Sequence, residues 1–124
     1  MRSRVIGQVL MGLAALSAVG AFAGAVPLLA DAEADRLWVE SWRAYGFLVF
    51  AGLFALLAWR PTRSPLVWEL VFFHKAAMVV THLAVGDVAE AAVAGMVDLA
   101  LCAVILVSWM LTRGWESWCT PRAG

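Results

Sequence analysis

The chain has 124 residues, with nine basic and nine acidic side chains and no formal net charge at pH 7. Hydrophobic residues make up 64% of it and charged ones 15%, with a mean hydropathy of +0.86, whereas soluble domains carry about 45–50% and about 25%. A single small globule does not bury that much apolar surface, so lipid is the expected solvent. Without a global field there is nothing to draw in nucleic acid, which is set aside as a partner.

A membrane helix needs about 20 mostly apolar residues. The first such run covers 5–28 and includes only Gln8 and Ser17 as polar members. Met1-Arg2-Ser3-Arg4 followed by an apolar stretch has the look of a signal peptide, but the run is longer than a usual h-region of about 7–15 residues. It is expected to be retained as a span. A polar connection, 29–41, leads to a second run at 42–59, and Arg60-Pro61-Thr62-Arg63-Ser64-Pro65 leads to a third at 66–86. The fourth covers 91–112. Such short connections place sequential helices antiparallel. The expected fold is all-α, a membrane-embedded antiparallel four-helix bundle forming one domain.

Local signals mark the ends. Ser64-Pro65 reads as an N-cap followed by proline at the first helical position. Gly86 fits the C-cap of the third helix. Asp87 and Glu90 have capping-box spacing ahead of the fourth. Gly20 and Gly24, Ala21 and Ala25, and Ala91 and Gly95 are each four apart, a spacing that lets helices approach closely in lipid.

Charge asymmetry sets an expected orientation. Arg2, Arg4, Arg60, Arg63, Arg113 and Arg122 fall on one side. The other carries Asp31, Glu33, Asp35, Glu40, Asp87 and Glu90 against Arg36 and Arg43. Basic loops are cytoplasmic, so both termini are expected inside, in a bacterial inner membrane. Trp38 and Trp42 mark the outer interface; Trp59, Trp68, Trp109, Trp115 and Trp118 mark the inner one.

Function is sought first among ionisable groups within the hydrocarbon, where each costs about 2.5–3.5 kcal/mol near the centre. These are Glu69, His74 and Lys75 on the third span and Asp98 on the fourth. Glu69, one turn inside, is expected to reach water, Arg60 or Arg63. Lys75 and Asp98 come to similar depth on antiparallel helices, and a lysine stem reaches that far; they are expected to pair. Lys75 and His82, seven apart, share a face, so the inward polar set is Lys75, His82 and Asp98. Arg43 and Tyr45, with Glu40 above them, are candidates for its outer mouth. Gly95, Ala94 and Cys102 leave room beside Asp98. His74 is expected to be a packed histidine hydrogen-bonded to a neighbouring helix. Two readings of the cluster stay open: an ion pair that fixes helix register, or a polar pocket that binds a lipophilic small molecule or relays protons.

Cys102 and Cys119 show no metal-ligand spacing and lie at different depths, so both read as free thiols. No metal or cofactor is implied, and no nucleophile or phosphate-loop motif is present.

Trp42-Arg43-Ala44-Tyr45-Gly46, Gly52, Arg60-Pro61, His74-Lys75 and Asp98 together resemble the small DoxX-like four-helix membrane proteins, over residues 40–112. In those proteins an early-span Arg, a mid-span Lys and a late-span Asp recur, matching Arg43, Lys75 and Asp98. The resemblance implies a four-helix membrane fold and an accessory or anchoring role beside quinone-linked redox or thiol-stress complexes, with protein partners or self-association and no defined catalytic residue. The alternatives are a small isomerase- or hydrolase-like enzyme with a lipid pocket, using Lys75, His82 and Asp98, and a small dimeric proton-coupled carrier.

Overall fold

The structure, a computed structural model, describes residues 1–86 and 89–119, with the side chains of 89–91 outside that set. Asp87, the Glu90 side chain and Arg122 therefore lie outside the described residues, and so does the expected capping box. Four helices follow one another: α1 (Arg2–Ala30), α2 (Ala34–Trp59), α3 (Val67–Val85) and α4 (Ala89–Thr112). A short 3-10 turn, Gly114–Trp118, comes after them, and no strand occurs among the described residues. Each of the four helices is long and apolar enough to cross a bilayer, as an integral membrane protein requires. Large apolar side chains such as Leu16, Val49, Phe73 and Met96 lie exposed on the outside, which suits lipid and not water.

Two boundaries differ from expectation. The stretch 29–41 is not a long connection, because α2 starts at Ala34 and only a few residues separate it from α1. The charges that made this stretch look like a loop are spaced along a helix: Glu40 accepts from Arg36 at 3.3 Å and from Arg43 at 2.7 Å. Such i,i+4 and i,i+3 pairs support a helix. Ser64 does not cap α3, whose N-cap is Leu66 in the left-handed region at φ +70°. The Ser64 hydroxyl instead donates to the carbonyl of Arg60 at 2.8 Å. Gly86 does close α3, at φ +79°, with its N–H on the carbonyl of His82.

Contacts fix the relative directions of the helices. Gln8, early in α1, donates from Nε2 to the carbonyl of Ala58 at the end of α2, 2.8 Å away. That carbonyl is one of the last four, which a helix leaves without an internal donor. Gly7 packs on Ser108 and Thr112 at the end of α4, and Gly95, early in α4, lies under His82, late in α3. So α1 runs against both α2 and α4, and α3 runs against α4. The α1–α2, α3–α4 and α1–α4 contacts are extensive, whereas α2 and α3 touch sparingly. The core joins Met11, Ala14 and Ala18 of α1 to Ala51, Phe54 and Leu57 of α2, Trp68 and Val71 of α3, and Ile105 of α4. Gly20 and Gly24 have nothing near them. The close approaches occur at Gly7 and at Gly95, a member of the expected Ala91–Gly95 pair.

The end that carries Met1 and the 3-10 turn is tied together. Trp68 is 2% exposed and donates from Nε1 to the carbonyl of Pro61 at 2.8 Å; it is a packed side chain, not an interfacial anchor. Ser117 in the 3-10 turn donates to the same carbonyl and accepts from the backbone N–H of Ser64, both at 3.2 Å. Ser117→Ala is expected to cost about 1–3 kcal/mol, because the buried Ser64 N–H loses its acceptor. Thermal unfolding in detergent against wild type reads this directly.

Candidate functional site

The central polar contact lies between α3 and α4. Trp68, Val71, Lys75 and His82 recur along one face of α3 at spacings of three, four and seven, and Trp68, Val71 and Lys75 are buried. Lys75 sits about 12 Å from the start of the helix and about 15 Å from its end at 1.5 Å per residue. Its Nζ is 3.0 Å from Oδ1 of Asp98, and the two side chains are 9% and 11% exposed. The same ammonium lies 4.4 Å from the centre of the Phe50 ring of α2, a cation–π contact. A charge at mid-depth is held there only when partnered, and Lys75 has both a carboxylate and a π face.

His82 meets α4 one step further along the same seam. Its ring lies directly on Gly95, where any Cβ would collide with it. Gly95 and Asp98 are three apart and so share a face of α4. Lys75 on Asp98 and His82 on Gly95 are thus two rungs of one interface, roughly 10 Å apart along α3 and about 4.5 Å apart along α4, the difference being spanned by the long lysine stem. His82 is part-buried, and its Nδ1 is enclosed without a hydrogen-bond partner among the described residues, as is Oγ of Ser108.

The remaining expected residues lie elsewhere. His74 is not packed between helices: it is exposed on α3, its ring centre 4.6 Å from that of Phe50. It makes no hydrogen bond to another helix among the described residues. The reason is angular, since His74 is turned about 100° from Lys75. Glu69 does not engage Arg60 or Arg63; its Oε1 accepts from Nε1 of Trp118 at 2.7 Å, because the 3-10 turn folds back under α3. Glu40 is buried between Arg36 and Arg43. It stands about 15 Å along α2 from Phe50, so Glu40 and Arg43 form a separate cluster and not the mouth of the Lys75 site. Tyr45 is 62% exposed and points away.

Two grooves lie along α3 and α4. One, of about 200 Å³, is lined by Trp68, Glu69, Phe72, Ile105, Leu106 and Trp109. The other, wider and shallower, runs past Phe72, Met96, Leu99, Cys102 and Leu106. Neither is lined by Lys75, His82 or Asp98. Both cysteines are free thiols, and no three His, Cys, Asp or Glu side chains converge among the described residues.

Sequence reasoning missed Phe50, which touches both Lys75 and His74, and the Pro61–Trp68–Ser117 knot. Phe50 is one of several apolar residues in α2 and carried no signal of its own. Ser117 stands in a tail whose fold depends on a carbonyl 56 residues away.

No known protein family, characterised protein or solved structure matches the chain.

Proposed function

We infer that this protein is an accessory or anchoring subunit of a membrane redox or stress complex, of DoxX-like kind, held in a bacterial inner membrane with both termini in the cytoplasm. One observation carries this reading: the polar centre is closed. Lys75 and Asp98 neutralise each other, Phe50 covers the ammonium, and the grooves on α3 and α4 are lined by other residues. A buried pair of this kind, shielded by an aromatic ring, is suited to fixing helix register. The proposed orientation draws on Arg2, Arg4, Arg60, Arg63 and Arg113 at the end with the termini, and on Asp31, Glu33 and Asp35 at the other.

Purification from native membranes in a mild detergent tests the role. A subunit brings down a cofactor-bearing membrane protein in fixed ratio, and an excess of untagged chain competes it away. Recovery of the chain free of other proteins, with a lipophilic small molecule bound, would instead support a second reading. That reading is a small lipid-pocket enzyme built on Lys75, His82 and Asp98. It draws on the enclosed Nδ1 of His82, which has no partner among the described residues.

A further inference from the structure

The two grooves on α3 and α4 join into one channel. Phe72 and Leu106 line both of them, so the groove beside Glu69 and Trp109 opens directly into the one that passes Ala103 and Met96. Glu69 and Phe72 are three apart on α3, and Met96, Ala103, Leu106 and Trp109 follow one another on α4 at steps of seven and three, so each helix presents a single face. From Trp109 to Met96 the channel runs about 20 Å at 1.5 Å per residue. Half a bilayer, head groups included, measures about 20–22 Å. The channel is one leaflet deep.

Its two ends differ in chemistry. The deep end is walled by Met96, Leu99 and Ala100. The other end lies at the first turn of α3, where Glu69 is exposed and takes one hydrogen bond, from Nε1 of Trp118 at 2.7 Å. A carboxylate has about four acceptor positions, and no Arg, Lys or His pairs with Glu69 among the described residues. The side chains of Trp68 and Trp109 wall the groove beside it. An acid without a cation, flanked by indoles, is the chemistry that holds an ammonium.

We propose that a phospholipid with a primary ammonium head, of the phosphatidylethanolamine class, occupies this channel, with its head on Glu69 and one acyl chain along Phe72, Ala103 and Met96. Charge selects the head. Glu69 repels a purely anionic head group, and a trimethylated ammonium has no N–H to donate, whereas a primary ammonium has three donors. A cation for the phosphate stands at the same end. Arg113, paired with Glu116, lies over the Trp115 ring, which packs edge-on against Trp109 of the groove wall. Length selects the rest of the molecule, since a head at Glu69 and a chain end at Met96 span one leaflet. The proposal rests on the membrane placement given above and not on the accessory role.

The test uses the full chain in phosphatidylcholine vesicles. A trace of phosphatidylethanolamine carries a photoactivatable diazirine at the end of one acyl chain. On illumination, adducts are expected on the segment that contains Met96, Leu99 and Ala100. Unlabelled phosphatidylethanolamine suppresses them, and the same amount of phosphatidylglycerol does not. Glu69→Gln, which keeps an acceptor for Trp118, is expected to raise the amount needed for half-suppression roughly tenfold, the worth of one charge-assisted hydrogen bond. Ala103→Phe fills the channel below the head and is expected to abolish the adducts. Adducts spread evenly over lipid-facing residues such as Leu13 and Leu16 of α1 overturn the proposal. So does equal labelling by a phosphatidylcholine or phosphatidylglycerol probe, which decides the matter in the wild type alone. Resistance of the chain to alkaline extraction reads the membrane placement separately, so the two failures are distinguishable.

Discussion

Lys75→Met and Asp98→Asn are each expected to destabilise the protein in detergent by about 3–5 kcal/mol, and the double variant to recover most of that loss. Removing one partner leaves the other charged or polar group enclosed without compensation, which costs far more than the pair itself contributes. Replacing both removes the problem, because the site is then apolar among apolar neighbours. The two single variants should also differ. After Asp98→Asn, Lys75 keeps the Phe50 ring at 4.4 Å, a contact of about 2 kcal/mol when shielded from water, and its long stem can turn towards an interface. After Lys75→Met, the short Asp98 side chain has no such escape. Lys75→Met is therefore the more damaging change. Chemical or thermal unfolding of the four proteins forms a complete cycle. If both single variants match wild type, the pair does not hold the helices in register, and the search for a ligand should centre on Lys75, His82 and Asp98.

Gly95→Ala is the second large effect, expected at about 1–3 kcal/mol of destabilisation from overpacking. A methyl group at this position would strike the ring and the Cβ of His82. Because Cβ is fixed to the backbone, a side-chain rotation does not clear it, and α3 and α4 must move apart. That displacement also lengthens the neighbouring Lys75–Asp98 contact, so Gly95→Ala and the charge variants should couple. His82→Ala in the Gly95→Ala background removes the obstacle and should recover much of the stability. Gly20→Ala supplies the contrast. Nothing lies within 4 Å of that position, and the change is expected to be neutral or to stabilise by up to about 1 kcal/mol through helix propensity. The melting temperatures of these three variants check the set. Equal loss at Gly20 and Gly95 would mean that the cost comes from the helix backbone and not from His82.

Much of this was legible in the residues because lipid imposes simple rules. Four apolar runs had to be helices, since no other open structure satisfies its backbone inside a bilayer. Lys75 and Asp98 had to find each other or remain unpaid charges. The seven-residue step from Lys75 to His82 placed both on one face without knowledge of any coordinates. What stayed hidden depended on contacts that leave no periodic trace. The start of α2 was obscured because Asp35, Arg36 and Glu40 look like a loop when read by polarity alone, although Glu40 accepts from both Arg36 and Arg43. The fate of Glu69 turned on a 3-10 turn in a tail without hydrophobic pattern. His74, expected to hydrogen-bond a neighbouring helix, meets there only the Phe50 ring, because the partner on α2 at that level is an aromatic face with no polar group.

The uneven contacts among the helices have a mechanical meaning. α1 and α2 make one plate, α3 and α4 another, and the plates are joined along the α1–α4 line. Their far edges meet at mid-depth where the Phe50 ring rests against His74 and Lys75. A body built this way is least braced along the α2–α3 edge. That side faces the acyl chains, and behind it stands the ammonium of Lys75. Phe50 is thus a latch as well as a neighbour: while it is seated, the charge pair is sealed from the lipid, and whatever lies along that edge decides how easily the seal is broken.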